Sequence, residues 1–347
     1  MKKIVIACDS YKGCLSSSEV SGAVAEGVSG VYPDCEVVRL AVADGGEGTV
    51  EALVDTLGGH LEWAEVSDPL GRPVRAAYGV AGDLAIIESA AACGLALLSK
   101  GERNPLIATT KGLGELILAA VDKGCRRFLI GLGGSATNDG GMGMIGVEGF
   151  LAKTRGLQFT VACDVDTPYI GGNGASRVFG PQKGASVQDV EVLEERLRGN
   201  ALKILKDTGI DVSDMPGAGA AGGLGGAFRA YLGAELKRGV DLVLDQIGFD
   251  SVIAGADLVI TGEGCSDYQT LKGKTAAGVL ERAGRQHIPV ALVSGAIRDE
   301  KMLMDSGFRI VEAVTPPAMS LEEAMRPETA KRLVAIATRN ILHHFCI

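Results

Sequence analysis

Short apolar runs of strand length alternate with segments of helical period along most of this chain, and the runs end in glycine or an acidic residue. Ile4-Val5-Ile6-Ala7 leads into Cys8-Asp9-Ser10-Tyr11-Lys12-Gly13, and Val37-Val38-Arg39-Leu40 leads towards Asp44-Gly45-Gly46-Glu47. Phe128-Leu129-Ile130 runs into Gly133-Gly134-Ser135-Ala136-Thr137-Asn138-Asp139. Leu258-Val259-Ile260 runs into Thr261-Gly262-Glu263-Gly264, and Val290-Ala291-Leu292-Val293 into Ser294-Gly295. Unbroken apolar runs of this length suit strands buried on both faces of a parallel sheet. All carboxyl ends of a parallel sheet lie on one edge, so these five ends are expected to converge there.

Between the runs the period changes to that of helices. Helices are expected from about Ser17 to Gly30, opened by a Ser16–Glu19 capping box, and from Thr49 to Leu57. From His60 the pattern differs. Turn residues from Val66 to Pro73 separate alternating segments, and Val74–Val80 with Leu84–Glu88 reads as antiparallel pieces of a second, smaller domain inserted in the first. Thr109–Lys123 places Leu113, Leu116, Ile117, Ala120 and Val121 on one helix face. Strand 159–162 ends in Cys163-Asp164, a charged helix covers about Val187–Lys206, and Pro216–Gly226 is nearly all small residues. Alternation then resumes, with strands at 258–261, 290–294 and 308–314, helices at 274–285 and near 299–306, and a terminal helix from Ser320 to His344.

Composition narrows the function. The 50 glycines among 347 residues are about twice the usual ~7% share and have no collagen-like period, which points to many turns and close backbone approaches. Aromatics at 4% and a net charge of −9 argue against nucleic acid or an anionic membrane as partner. The eight cysteines, Cys346 among them, include no CxxC, and four histidines form no zinc spacing, so the cysteines read as small core residues. The amino terminus is basic and briefly apolar but reaches Asp9 too soon for a signal peptide, and no run approaches the ~20 residues of a membrane span. A soluble, cytoplasmic protein is expected.

Three familiar patterns fail. Lys272-Gly273-Lys274-Thr275 ends like a phosphate-cradling loop, but Tyr268 stands where its first glycine belongs. Gly131–Ala136 fits a dinucleotide turn without the later ribose-binding acid, and Gly217–Gly222 follows no strand. The acids say more. Asp9, Asp44, Glu47, Asp139, Asp164, Glu263 and Asp267 all stand in or beside strand-end glycine motifs. Phosphoryl transfer needs a carboxylate for the hydroxyl proton and cations on the phosphate, and Lys12, Arg72, Lys183 and Lys274 could supply the cations. No histidine lies in any motif, which disfavours imidazole catalysis.

The stretches CDSYKGCLSS, ADGGEGT, SDPLGR, GGSATNDGG, GPQKGA, PGAGAAGGLG, LVITGEG and QTLKGK, in this order from residue 8 to about 275, resemble the signatures of the bacterial type I glycerate kinases. The resemblance implies an ATP- and Mg²⁺-dependent kinase that phosphorylates D-glycerate to 2-phosphoglycerate, with 3-phosphoglycerate left open. It implies an α/β fold: a Rossmann-like parallel-sheet domain carrying an inserted second α/β domain, with the active site in the interdomain cleft. The first domain is expected to comprise 1–62, 107–143 and 240–347, and the second 63–106 and 144–239. Asp9 or Asp164 is expected to accept the hydroxyl proton and Lys12 to hold an anionic group. Gly133, Gly134, Ser135, Thr137, Asn138, Glu263 and Lys274 would bind nucleotide. Ser10, Arg72 and Lys183 would bind glycerate, and Asp44, Glu47 and Asp139 the metal. Two departures stand out: the chain is short between Gly143 and Phe159, and Cys265 stands where the family often has a basic residue. A kinase for another hydroxy or sugar acid, and a non-catalytic hydroxy-acid sensor, are the alternative readings. A homodimer is an open option.

Overall fold

A computed structural model describes residues 1–345. Cys346 therefore lies outside the described residues. The chain divides into two compact units. Unit 1 is Met1–Asp44, Asp55–Leu57 and Val240–Ile347, and unit 2 is Gly45–Val54 and Gly58–Gly239. The strands in chain order are β1 Lys3–Cys8, β2 Glu36–Ala41, β3 His60–Ser67, β4 Pro73–Ala81, β5 Leu84–Glu88, β6 Arg127–Gly131 and β7 Gln158–Ala162. β8 Glu235–Lys237, β9 Leu258–Gly262, β10 Cys265–Ser266, β11 Val290–Ser294, β12 Ala296–Ile297 and β13 Ile310–Ala313 follow.

Unit 1 holds a five-stranded, wholly parallel sheet of order β13-β11-β9-β1-β2, and β10 and β12 form a two-stranded pair. The central strands are apolar because both faces are covered. Ile4, Val5, Ile6 and Ala7 are fully buried, as are Leu258, Val259 and Ile260. Each such aliphatic side chain contributes about 1.5–3 kcal/mol. The helices Ser17–Ser29 and Pro327–Phe345 pack together in this core through Val20, Val24, Val334 and Ile341. The expected terminal helix is two helices, Leu321–Ala324 and Pro327–Phe345. Proline lacks the N–H that a continuous helix needs and suits the first turn of a new one.

Unit 2 is built on a six-stranded mixed sheet, β3-β4-β5-β6-β7-β8, antiparallel from β3 to β5 and parallel from β5 to β8. Phe128 and Phe159 stack across β6 and β7 with ring centroids 4.7 Å apart, and Phe228 of the helix Ala220–Leu232 tilts against Phe159 at 6.1 Å. The five apolar runs do not share one sheet: β6 pairs with β5 and β7 in unit 2, while β1, β2, β9 and β11 belong to the unit 1 sheet, and residues 107–143 fall within unit 2. The apolar run at Phe128 satisfies either sheet equally well, and only pairing chose between them. The short segment after Gly143 closes through two single-turn helices, Met142–Ile145 and Phe150–Lys153.

Candidate active site

In unit 1 the chain passes from β1 outward to β2 and later returns to place β9 on the other side of β1. That reversal of strand order leaves a crevice at the carboxyl ends of β1 and β9, the usual ligand position in an open α/β sheet. Asp9 follows β1 and Glu263 follows β9, and the two turns are joined by Asp9 N–H donating to Gly262 O at 2.8 Å. Gly262 is required there, since a Cβ would lie 1.8 Å from Val293 O.

The side chains at this point form two linked sets. Thr275 Oγ1 donates to Asp9 Oδ2 at 2.5 Å. Glu263, only 8% exposed, accepts from Ser266 and Thr270 on Oε1 at 3.0 and 2.5 Å and from Lys274 Nζ on Oε2 at 3.2 Å. Burial, reinforced by the charge of Asp44 and opposed by the Thr275 hydrogen bond, pushes Asp9 up to about 6. Burial works against the Lys274 ammonium, but Glu263 and then Asp267 and Asp44 hold it above its ordinary range. Lys274 precedes the helix Thr275–Arg285, whose first turn has no side-chain cap and so presents free N–H groups. A carboxylate whose proton affinity is raised towards neutrality, beside a fixed ammonium and a helix amino end, can take a hydroxyl proton next to bound phosphate.

In unit 2 the glycine loop after β6 is held from beneath. Lys183 is 2% exposed and donates to Ser135 Oγ at 3.0 Å and Thr137 O at 2.6 Å. Burial pulls its ammonium down to about 7 against the charge of Asp139. Gly133 and Gly134 are exposed, while Ser135, Thr137 and Asn138 are buried. Thr137 Oγ1 and Asn138 Oδ1 are buried with no partner among the described residues. The loop also leans on Ala221, Gly222 and Gly223, three consecutive left-handed residues at φ 51°, 71° and 100°.

The expected site residues thus separate by unit. Asp9, Ser10, Lys12, Asp44, Glu263 and Lys274 belong to unit 1; Glu47, Arg72, the 133–139 loop, Asp164 and Lys183 belong to unit 2. Asp139 Oδ2 accepts from Thr110 N and Oγ1 and Gly143 N at 2.8, 2.9 and 3.1 Å while Oδ1 accepts from Gly141 N at 3.0 Å, so both oxygens are engaged within unit 2. Lys183 is engaged by Ser135 and Thr137 of the loop. Arg72 is neutralised by Asp68 at 2.6 Å and Glu102 at 2.5 Å. Lys12 and Glu47 are exposed, and Asp164 Oδ1 accepts from Gly239 N at 2.8 Å. Thr275 was missed although its signal was legible, because the Lys272–Thr275 pattern lacks a glycine. Ser266 and Thr270 carried no signal. Cys265 is a part-buried residue of β10, and no helix among the described residues is long and apolar enough to cross a membrane.

A parallel sheet with acids at its switch point in one unit and a braced glycine loop in the other are the parts from which α/β phosphotransferases acting on small molecules are built. The profile of the glycerate kinase family matches residues 4–152 and 145–346, two segments that overlap at 145–152. The glycerate kinase of Bacillus subtilis (strain 168) is 44% identical over 353 residues, 93% of this chain and 92% of the relative. The glycerate 2-kinase of Escherichia coli (strain K12) is 42% identical over 370 residues, 98% and 97% of the two chains. A crystal structure assigned to a glycerate kinase 2 from Salmonella typhimurium LT2 matches with a TM-score of 0.88 at 41% identity, over 99% of this chain and 98% of that one. The chain belongs to the glycerate kinase family and is a kinase that uses ATP as substrate.

Proposed function

We propose that this enzyme transfers the γ-phosphoryl group of ATP to the 2-hydroxyl of D-glycerate, giving 2-phosphoglycerate and ADP. The observation that carries the mechanism is Asp9, at the switch point of the unit 1 sheet, held by Thr275 and lifted to about 6. Near neutral pH it is ionised yet basic enough to accept the hydroxyl proton as the bond to phosphorus forms. Asp164, committed to Gly239 N, is the weaker candidate. Ser10, next to Asp9, is assigned to glycerate, and exposed Lys12 to an anionic group of substrate or nucleotide. Lys274, Glu263 and the amino end of Thr275–Arg285 are assigned to the nucleotide in unit 1. In unit 2 the same is assigned to Gly133, Gly134, Ser135, Thr137 and Asn138, whose small residues let an anion reach main-chain N–H groups.

Mg²⁺ fits the donors present. It takes hard oxygens, commonly one or two carboxylates with water and phosphate completing the shell. Asp44, whose charge reaches Asp9, provides one such group and Glu47 is the second candidate. Among the described residues no three His, Cys, Asp or Glu gather into an all-protein metal cage. When bound, the ion would neutralise phosphate charge. Cytoplasmic location suits an ATP-dependent enzyme, and a homodimer is an assembly to test by light scattering.

The deciding experiment measures ADP release by purified protein with ATP, MgCl₂ and D-glycerate, and then feeds the product directly to enolase. Enolase consumes 2-phosphoglycerate and not the 3-isomer. Glycerate binding with no ADP formed would favour the sensor reading, and ADP with a product inert to enolase would move the phosphoryl group to the 3-hydroxyl.

A further inference from the structure

We infer that Arg103 is the residue that recognises the carboxylate of the hydroxy-acid substrate, a reading that rests on the proposed function. Arg103 follows the short 3-10 turn Lys100–Glu102 in unit 2. It is part-buried, its Nε is buried without an acceptor, and its guanidinium makes no hydrogen bond or ion pair with any described residue. In a chain with 43 acidic against 34 basic residues, a half-buried guanidinium without an acid partner is unusual.

The surroundings explain why no acid of the protein reaches it. Glu102 is held by Ser99 N and Oγ and by Arg72. Asp68 is held by Leu70 N, Arg72 N and Arg72 Nε. Glu102, next to Arg103 in the chain, and Asp68 are therefore both already paired with the other arginine. Arg103 itself is firmly placed. Gly184, at φ +98°, comes so close that a Cβ would lie 2.6 Å from Arg103 O. The preceding residue is Lys183, which braces Ser135 and Thr137 of the glycine loop. Asn104 then turns the chain by accepting from Leu106 N at 3.0 Å, which fixes the segment that continues to Thr110.

Leaving a buried charged donor unsatisfied is costly, and a planar guanidinium is satisfied best by a two-oxygen anion lying in its plane. D-glycerate carries one such group and no other charge. Arg72 was the sequence's candidate for this task, but it is paired with Asp68 and Glu102, whereas the part-buried Arg103 has no acid partner among the described residues.

The test compares wild-type enzyme with Arg103→Gln and Arg103→Lys, both checked for folding by circular dichroism. Steady-state KM is measured separately for D-glycerate and ATP, and D-glycerate binding by calorimetry. Glyceramide serves as the uncharged analogue. Arg103→Gln should raise KM for D-glycerate about 10²-fold, with KM for ATP unchanged within about twofold, and should lose most of the preference for glycerate over glyceramide. Arg103→Lys keeps the charge without the planar fork and should fall between, about 10-fold; it carries the test alone if the glutamine variant does not fold. A rise confined to KM for ATP would assign Arg103 to a nucleotide phosphate and overturn the inference, as would no change in either constant. If the wild-type enzyme forms no ADP with glycerate, the proposed function fails, and calorimetry then decides the residue. Binding by wild type but not by Arg103→Gln sustains it, and equal or absent binding overturns it.

Discussion

Gly222→Ala is the sharpest probe of how unit 2 shapes its loop. Gly222 has φ +71°, and a Cβ there would stand 2.1 Å from Thr137 O, 2.7 Å from Asn138 Cα and 2.9 Å from Thr137 C. All three are main-chain atoms, so no side chain can swing aside. Gly140 N also donates to Gly222 O at 3.0 Å, so a shift of one strand of chain displaces the other. The left-handed conformation costs an alanine about 1–2 kcal/mol, and forcing backbone apart in a packed core adds about 1–3 kcal/mol. The sum is a loss of about 2–5 kcal/mol. Gly233→Ala is the control, because Gly233 has φ +62° with nothing within 4 Å of its Cβ and bears the conformational cost alone. Urea unfolding of the two variants side by side isolates the clash, and kinetics should show kcat/KM lowered at least about 10-fold only in Gly222→Ala. Equal destabilisation of the two, with unchanged kinetics, would refute the claim that this turn positions residues 137–140.

Asp9→Asn should lower kcat by about 10²–10⁴-fold, and wild-type kcat/KM should fall on an acid limb centred near pH 6. The folded carboxyl holds its proton to about 6 against 3.8 for the ordinary group, so its stabilising contribution is complete below about 3.8 and lost as pH rises through about 6. Asp9→Asn should therefore be more stable than wild type at pH 8, by on the order of 2–3 kcal/mol at most, with no difference near pH 3.5. Lys183 has the opposite displacement, its pKa drawn from 10.5 to about 7. The unfolded chain holds the extra proton in that window, so wild-type stability should gain on Lys183→Met as pH rises from about 7 to about 10.5. Parallel denaturation curves across that range would show that Lys183 is not charged in the way its burial implies. Lys12→Ala should reduce turnover at least about 10²-fold with an unchanged melting profile, since the residue is exposed; turnover within a few-fold of wild type would make Lys12 ordinary surface.

The apolar runs alone determined most elements of this protein. Ile4–Ala7, Leu258–Ile260 and Val290–Val293 are continuous because both faces of their sheet are covered, and that requirement is local enough to read directly. The acids at their ends were legible for the same reason: Asp9 and Glu263 stand where a strand must stop and a turn must begin. What sits beside what was not legible. Phe128–Ile130 has the same pattern as the unit 1 strands, yet its ladder runs with β5 and β7, since strand pairing depends on partners distant in sequence. The bounds of β3 were not legible because it lies at a sheet edge, where alternation is blurred by exposed Trp63 and part-buried Leu61. Side-chain roles depended still more on tertiary structure. Asp139, Lys183 and Arg72 carry the residue types that phosphate chemistry uses, and their partners in space occupied them elsewhere. Arg103 carried no signal in the sequence. Folding gave Glu102 to Arg72, and a charge can be known as available only when every group that could neutralise it has been placed.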